Sequence, residues 1–293
     1  MLTISNVTKH YGERRVLDEV SFEVGRGRLT GFVGGNGAGK TTTMRIILGV
    51  LGADAGEVSL DGSPLTREGR RRFGYMPEER GLYPKMKVHE QLVYLARLRG
   101  MRAGVAAAKA DELLERLELH ERRDEPIEKL SLGNQQRAQI AAALVHEPEV
   151  LVLDEPFSGL DPMAVETVLG VLSERAARGV PVLFSSHQLD VVERLCDDIV
   201  VIADGRIRAA GTRDALREAN AGSQWELQVG DDAAWVRALA EVDVIEFDGG
   251  YVLFEADAHG AQLVLQQAAQ RGEVQRFAPR RPTLTEIFRE VVQ

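Results

Sequence analysis

Gly34-Gly35-Asn36-Gly37-Ala38-Gly39-Lys40-Thr41 decides the fold of this chain. Its spacing is G-x-x-x-x-G-K-[ST], and it lies between an apolar run, Leu29–Val33 (LTGFV), and a helix-forming run at 42–48 (TTMRIIL). That order, strand, loop, helix, is what a phosphate-binding loop requires. Glycines at 34, 35, 37 and 39 let the backbone curl so that successive N–H groups point inward at phosphate oxygens. The helix N-terminus behind them adds partial positive charge. In such a loop Lys40 reaches the β- and γ-phosphates, and the Thr41 hydroxyl is placed to ligate Mg²⁺. A glycine-rich turn that merely contains a lysine would not need both flanks.

A second stretch, Val150-Leu151-Val152-Leu153-Asp154-Glu155, is an apolar strand that ends in two carboxylates. In phosphate-loop ATPases the first acid holds Mg²⁺ and a following Glu polarises water for attack on the γ-phosphate. Alone it would read as a solvated strand end; beside Lys40 it reads as the second half of a nucleotide site. Ser185-Ser186-His187 closes the next apolar run, so His187 is a candidate latch on the γ-phosphate.

The remaining pattern frames these residues. With 293 residues the chain is long enough for about two domains. A net charge of −9 argues against broad binding to nucleic acid. No apolar run reaches the ~18–20 residues that span a bilayer, and the first residues lack the apolar core of a secretory signal. Cys196 is the only cysteine, which excludes an intrachain disulfide; it reads as a small core hydrophobe. A cytoplasmic chain is expected, or one docked to a membrane through a partner.

Residues 1–62 read as short strands and turns, with Asp61-Gly62 and Asp204-Gly205 as hairpin signals. Residues 87–144 are helical in pattern. Val88, Leu92, Leu95 and Leu98 share one face there, and Leu113, Leu114 and Leu117 another. Apolar runs at 150–153, 180–184 and 199–203 are spaced as core strands of a mostly parallel sheet. After a helix and linker at 211–222, strands are expected at 225–229, 244–247, 251–255 and 273–277, and helices at 232–241, 258–271 and 283–292. This β-α-β-β-α-β order with a closing helix suggests a small ferredoxin-like α+β unit.

Taken together, these motifs resemble the ATP-binding subunit of an ABC transporter over residues 1 to about 215. The phosphate loop corresponds to Walker A (34–42), the acidic strand to Walker B (150–155), Ser158-Gly159-Leu160-Asp161 to the D-loop, and His187 to the switch histidine. Leu130-Ser131-Leu132-Gly133-Asn134 matches the signature Leu-Ser-Gly-Gly-Gln. The resemblance implies an α/β phosphate-loop NTPase, a RecA-like core with antiparallel β and helical subdomains (the latter about 80–145), plus an α+β domain at 216–293. It implies that Tyr11 stacks on adenine, that Gly34, Asn36, Gly37, Ala38, Gly39, Lys40, Thr41 and Thr42 wrap the phosphates of ATP, and that Thr41 and Asp154 hold Mg²⁺. Glu155, His187 and Lys40 are then the catalytic residues. Ser131, Gly133, Asn134 and Asp161 would complete a site held by a second ATPase subunit, identical or not, and a membrane-spanning permease would be the other partner.

Two motifs depart from the family pattern. Leu132 and Asn134 replace Gly and Gln of the signature, and Glu78 stands where the family carries the Q-loop glutamine. A carboxylate at 78 is a possible Mg²⁺ ligand that adds negative charge near the γ-phosphate, with Arg80 nearby to offset it. The wording of residues 77–84 and the tail after 219 resemble the bacterial export branch, including systems proposed to extrude sodium. Two other readings stay open: an ATP-sensing regulatory module, and a non-transport ATPase of the same fold.

Overall fold

Five consecutive buried residues, Leu29–Val33, form β3 inside a six-stranded sheet. The computed structural model describes residues 1–79, 81–220 and 222–292. Beside β3 run β8 (Val182–Ser186) and β9 (Asp198–Ala203), with β7 (Val150–Leu153) and β6 (Phe73–Met76) beyond β8 and β10 (Arg206–Thr212) beyond β9. All pair in parallel except β10, which turns back antiparallel on β9. The continuous burial of β3, β7 and β8 explains their unbroken apolar runs, because both faces of a parallel sheet are covered. β8 starts at 182 rather than at 180. The Pro181 carbonyl accepts from the Leu151 N–H at 3.0 Å, but proline has no N–H to continue the ladder. The shift draws Ser185 and Ser186 into the strand and leaves His187 just past its end.

A second, antiparallel sheet has the order β2 (Arg14–Val24), β1 (Leu2–Tyr11), β4 (Ala55–Leu60), β5 (Ser63–Pro64). Along β2 the buried residues are Leu17, Val20, Phe22 and Val24, and the period-two alternation is broken once beside Glu19, at φ 52°. These side chains share a core with Phe32 and with Met44 and Ile47 of α1 (Lys40–Ile47). The Phe22 and Phe32 rings lie 5.1 Å apart. Burying one such side chain contributes about 2–3 kcal/mol. At both hairpin turns the central residues take positive φ, 51° and 76° at Asp61-Gly62 and 49° and 73° at Asp204-Gly205, as a two-residue primed turn needs.

The helical region contains α2 (Val88–Leu98), α3 (Ala103–Arg116) and α4 (Leu132–Leu144). Ala106 and Ala110 are fully buried, and their small side chains let α3 lie close to α2. Leu113, Leu114 and Leu117 are buried as the pattern predicts. On α2, Val88, Leu92 and Ala96 carry the buried stripe, whereas Leu98, expected on it, is 64% exposed at the helix end. The rest of the first unit comprises α5 (Pro162–Ala177) and α6 (Leu189–Leu195). Cys196 follows α6 and presses on β3 so closely that a Cβ on Gly31 would meet its Sγ at 2.7 Å. Burial pushes this thiol far above its ordinary pKa, as suits a packing residue.

The chain divides into two compact units, Met1–Arg213 and Asp214–Glu290, a division that falls at the start of α7 (Arg213–Ala219). In the second, β12 (Asp243–Asp248), β13 (Tyr251–Glu255), β11 (Gln224–Val229) and β14 (Val274–Pro279) form an antiparallel sheet in that order. Helix α8 (Ala258–Arg271) packs Val264 and Ala268 on Leu227, Val252 and Phe254. Helix α9 (Leu284–Val292) ends the described chain. The ferredoxin-like order is present with one change. The helix expected at 232–241 is a single 3₁₀ segment, Ala234–Ala238, begun by the Asp232 carboxylate on the Ala234 N–H. No helix among the described residues is long and apolar enough to cross a membrane.

Candidate nucleotide-binding site

The C-terminal ends of β3, β7 and β8 open on one cavity of about 630 Å³, where a parallel sheet places its ligands. The loop after β3 forms its floor. Gly39 holds φ 114° ahead of α1, and a Cβ there would strike Leu17 at 2.6 Å. At Gly34 a Cβ would lie 2.4 Å from the Ile202 carbonyl oxygen. Lys40 folds into the loop it follows: Nζ donates to the Gly34 carbonyl at 2.6 Å and to the Gly35 carbonyl at 3.3 Å. The ammonium is thus fixed at the cavity floor with one N–H left for a ligand. Asn36, Gly37, Gly39, Lys40, Thr41 and Thr42 line the cavity. Gly34 and Ala38 do not: Ala38 belongs to the hydrophobic core and its N–H donates to the Gly35 carbonyl.

Ser185 organises the acidic side. Its Oγ donates to Asp154 Oδ1 at 2.5 Å and accepts the Glu155 N–H at 2.8 Å. Asp154 is 1% exposed, and its Oδ2 is buried with no hydrogen-bond partner. Glu155 takes left-handed φ 52° and turns its carboxylate to His187, with Nδ1 to Oε1 at 3.0 Å. Sequence reasoning noted Ser185 only as part of a strand end. Its hydroxyl between two acids could not be read before β7 and β8 were known to pair.

An orphaned buried carboxylate oxygen, in a cavity also lined by Thr41 and Glu78, suits a divalent cation. Among the described residues no cluster of three or more His, Cys, Asp or Glu side chains could hold a metal by itself. That combination fits Mg²⁺, which typically takes one or two protein ligands and completes its shell with phosphate oxygens and water. Glu78 lines the cavity. Arg80, considered as its counter-charge, lies outside the described residues.

The rim comes from the β1–β2 hairpin. Tyr11, 51% exposed, stands opposite Arg14 in register, and Arg14 and Val16 also line the cavity. Those last two were not anticipated, because only the fold carries the start of β2 to the loop. Ser131, Gly133, Asn134 and Asp161 do not line this cavity. Ser131 is exposed and caps α4, accepting the Asn134 N–H at 3.3 Å; Asn134 in turn accepts from Arg137 at 2.5 Å. Gly133 lies near the Gly159 carbonyl, and the Asp161 carboxylate caps α5 on the Ala164 N–H. Ser131 and Asp161 are exposed and Gly133 and Asn134 half-buried, with Leu132 59% exposed between them.

A glycine loop between strand and helix, a lysine on its carbonyls and two strand-end acids define a phosphate-loop nucleotide-binding protein. Residues 17–158 match the ABC transporter family model, and residues 211–292 match the C-terminal domain of ATP-binding proteins like DrrA1-3. The chain is 37% identical over its whole length to the uncharacterized ABC transporter ATP-binding protein YhaQ of Bacillus subtilis (strain 168), covering 98% of that protein. It is 41% identical to Nod factor export ATP-binding protein I of Burkholderia orbicola, over 79% of this chain and 77% of that one. It is 36% identical to linearmycin resistance ATP-binding protein LnrL of Bacillus subtilis (strain 168), over 74% and 70%. Among solved structures it superposes on an ATP-binding subunit of an ABC transporter, with TM-score 0.70, 34% identity and coverage of 75% of this chain and 92% of that one. It also superposes on a dimeric bacterial ABC transporter cassette (TM-score 0.67, 25% identity, 73% and 99% covered). The chain belongs to the ABC transporter ATP-binding subunits. It binds and hydrolyses ATP, and it acts as a dimer with membrane-spanning permease chains.

Proposed function

We infer that two copies of this subunit, or one copy and a close relative, clamp two Mg·ATP between them at the cytoplasmic face of a membrane, and that their closure drives an exporter. The observation that carries this reading is the separation of two halves of one site. The cavity holds the phosphate loop and the acids, while Ser131, Gly133 and Asp161 face outward from the same chain. A helix N-terminus such as that of α4 suits a phosphate, so the outward surface is a lip for the partner's ATP. Exposed Leu132 and Met163, 59% and 77% accessible, add apolar area for such an interface.

In the cavity Tyr11 stacks on adenine, and residues 36, 37 and 39–42 wrap the phosphates. Thr41 and Asp154, with Glu78 in the same cavity, would hold Mg²⁺, which when bound would neutralise phosphate charge. Lys40 and His187 bind the γ-phosphate, and Glu155 orients the attacking water and takes its proton. Lip closure excludes water and completes the site, which ties turnover to dimerisation. A separate groove of about 300 Å³ lined by Tyr75, Leu82, Leu95, Leu98, Ala142 and Ala143 gives the permease an apolar seat and accounts for exposed Leu98. Export rather than import is favoured by the relatives named for Nod factor export and linearmycin resistance.

Ser131→Arg, tested in a Glu155→Gln background, should leave ATP affinity of the monomer within about twofold and abolish the ATP-dependent dimer seen by light scattering. A matching loss of monomer affinity would place the serine in its own chain's site and end the composite reading. Tyr11→Ala should weaken ATP binding by roughly tenfold and Tyr11→Phe should restore it, since stacking needs the ring and not the hydroxyl. Equal affinities for all three chains in a calorimetric titration would remove the adenine platform.

A further inference from the structure

Helix α4 begins at the signature residues and also grips both acidic segments of its own chain's cavity. Gln136 and Gln139 lie one turn apart on it, 6% and 3% exposed. Gln136 Nε2 donates to the Glu155 carbonyl at 2.9 Å and the Pro156 carbonyl at 3.1 Å. Gln139 Nε2 donates to the Pro77 carbonyl at 2.7 Å and the Glu79 carbonyl at 3.2 Å, one on each side of Glu78. Burying two amides is unfavourable unless they are bonded. The amides are explained by the carbonyls they hold. Glu155 makes the point sharply, because its left-handed backbone is held at both ends, by Ser185 at the N–H and by Gln136 at the carbonyl.

We propose that α4 is a lever between the two nucleotide sites of the dimer, with Gln136 and Gln139 as positioning residues. When Ser131 and Gly133 seat on the partner's ATP, the 13-residue helix moves as a rod. The two glutamines pass that movement to the backbone of Glu155 and to the segment bearing Glu78. Each chain thereby readies its own acids only after its lip has engaged the other chain's nucleotide. The inference rests on the composite-site reading and adds a cross-site signal to it.

Hydrogen exchange on the full chain in the Glu155→Gln background tests the lever. Adding Mg·ATP should slow the amides of Glu78 and Glu79, and those of 154–158 other than Pro156, by at least about tenfold in the dimer. The ATP-loaded Ser131→Arg monomer should show no such slowing, although its cavity is filled. In Gln136→Met the slowing should vanish at 154–158 alone, and in Gln139→Met at 77–79 alone, with the dimer still formed. With Glu155 restored, Gln136→Met should lower turnover by about tenfold. Slowing that appears in the Ser131→Arg monomer, or that survives in both methionine variants, overturns the lever. Should one methionine variant fold poorly, the other reads its own segment independently. A Glu155→Gln chain that forms no dimer with Mg·ATP overturns the composite site and the lever with it.

Discussion

Lys40→Ala should reduce both ATP affinity and turnover by about ten- to a hundredfold, the effect of losing one charge-assisted hydrogen bond to phosphate at ~1.5–3 kcal/mol. The geometry makes the loss specific. Nζ sits at the cavity floor, bonded at 2.6 and 3.3 Å to carbonyls of the loop it serves, so its charge is aimed before any nucleotide arrives. Alanine removes the cation and also the tie that holds Gly34 and Gly35 in place. Folding should survive, because the side chain touches carbonyls rather than filling the apolar core, and thermal melting of the variant should stay near that of the parent. Lys40→Arg should not rescue turnover, since a planar fork cannot meet the same two carbonyls and a phosphate from that position. Titration calorimetry with ATP and a phosphate-release assay give the answer. Near-parental values for Lys40→Ala would remove the cradle from the mechanism.

Why was this lysine legible in the sequence when other parts of the site were not? A phosphate loop is a local object. Its backbone path demands glycine at fixed offsets, and its flanks demand a strand and a helix, so eight residues carry the whole argument. Strands β3, β7 and β9 were legible for a related reason, as burial on both faces leaves an unbroken apolar run. The ferredoxin-like order of the C-terminal unit was legible in outline, but 232–241 is too short and too weakly patterned to decide between helix and a single 3₁₀ segment. What stayed hidden depends on contacts far apart in sequence. Arg14 and Val16 reach the cavity only because β2 folds over the loop. Ser185 links two acids 30 and 31 residues away. Gln136 and Gln139 look like ordinary helix formers until α4 is seen against the ends of β6 and β7. Gly34 and Ala38 do not line the cavity, since Gly34 lies against the Ile202 carbonyl and the Ala38 methyl packs in the core, contacts no local pattern announces.

Glu155→Gln should separate binding from chemistry more sharply than any other change. Turnover should fall by about 10²–10⁴-fold, the usual contribution of a general base. ATP affinity should be kept or improved. The carboxylate lies 3.0 Å from the His187 ring, and in the proposed complex it would stand near the γ-phosphate, where two negative groups repel. Glutamine keeps the volume and a hydrogen-bonding oxygen for His187, while removing both the repulsion and the proton acceptor. The pre-hydrolysis dimer should then accumulate. With Mg·ATP the variant should elute at twice the subunit mass of 32.2 kDa, and with ADP at once that mass. The parent chain should show the larger species only transiently, because hydrolysis dissolves it. Turnover within about threefold of parental would transfer the role of base to another group, and His187, 56% exposed at the rim, would be the next residue to change.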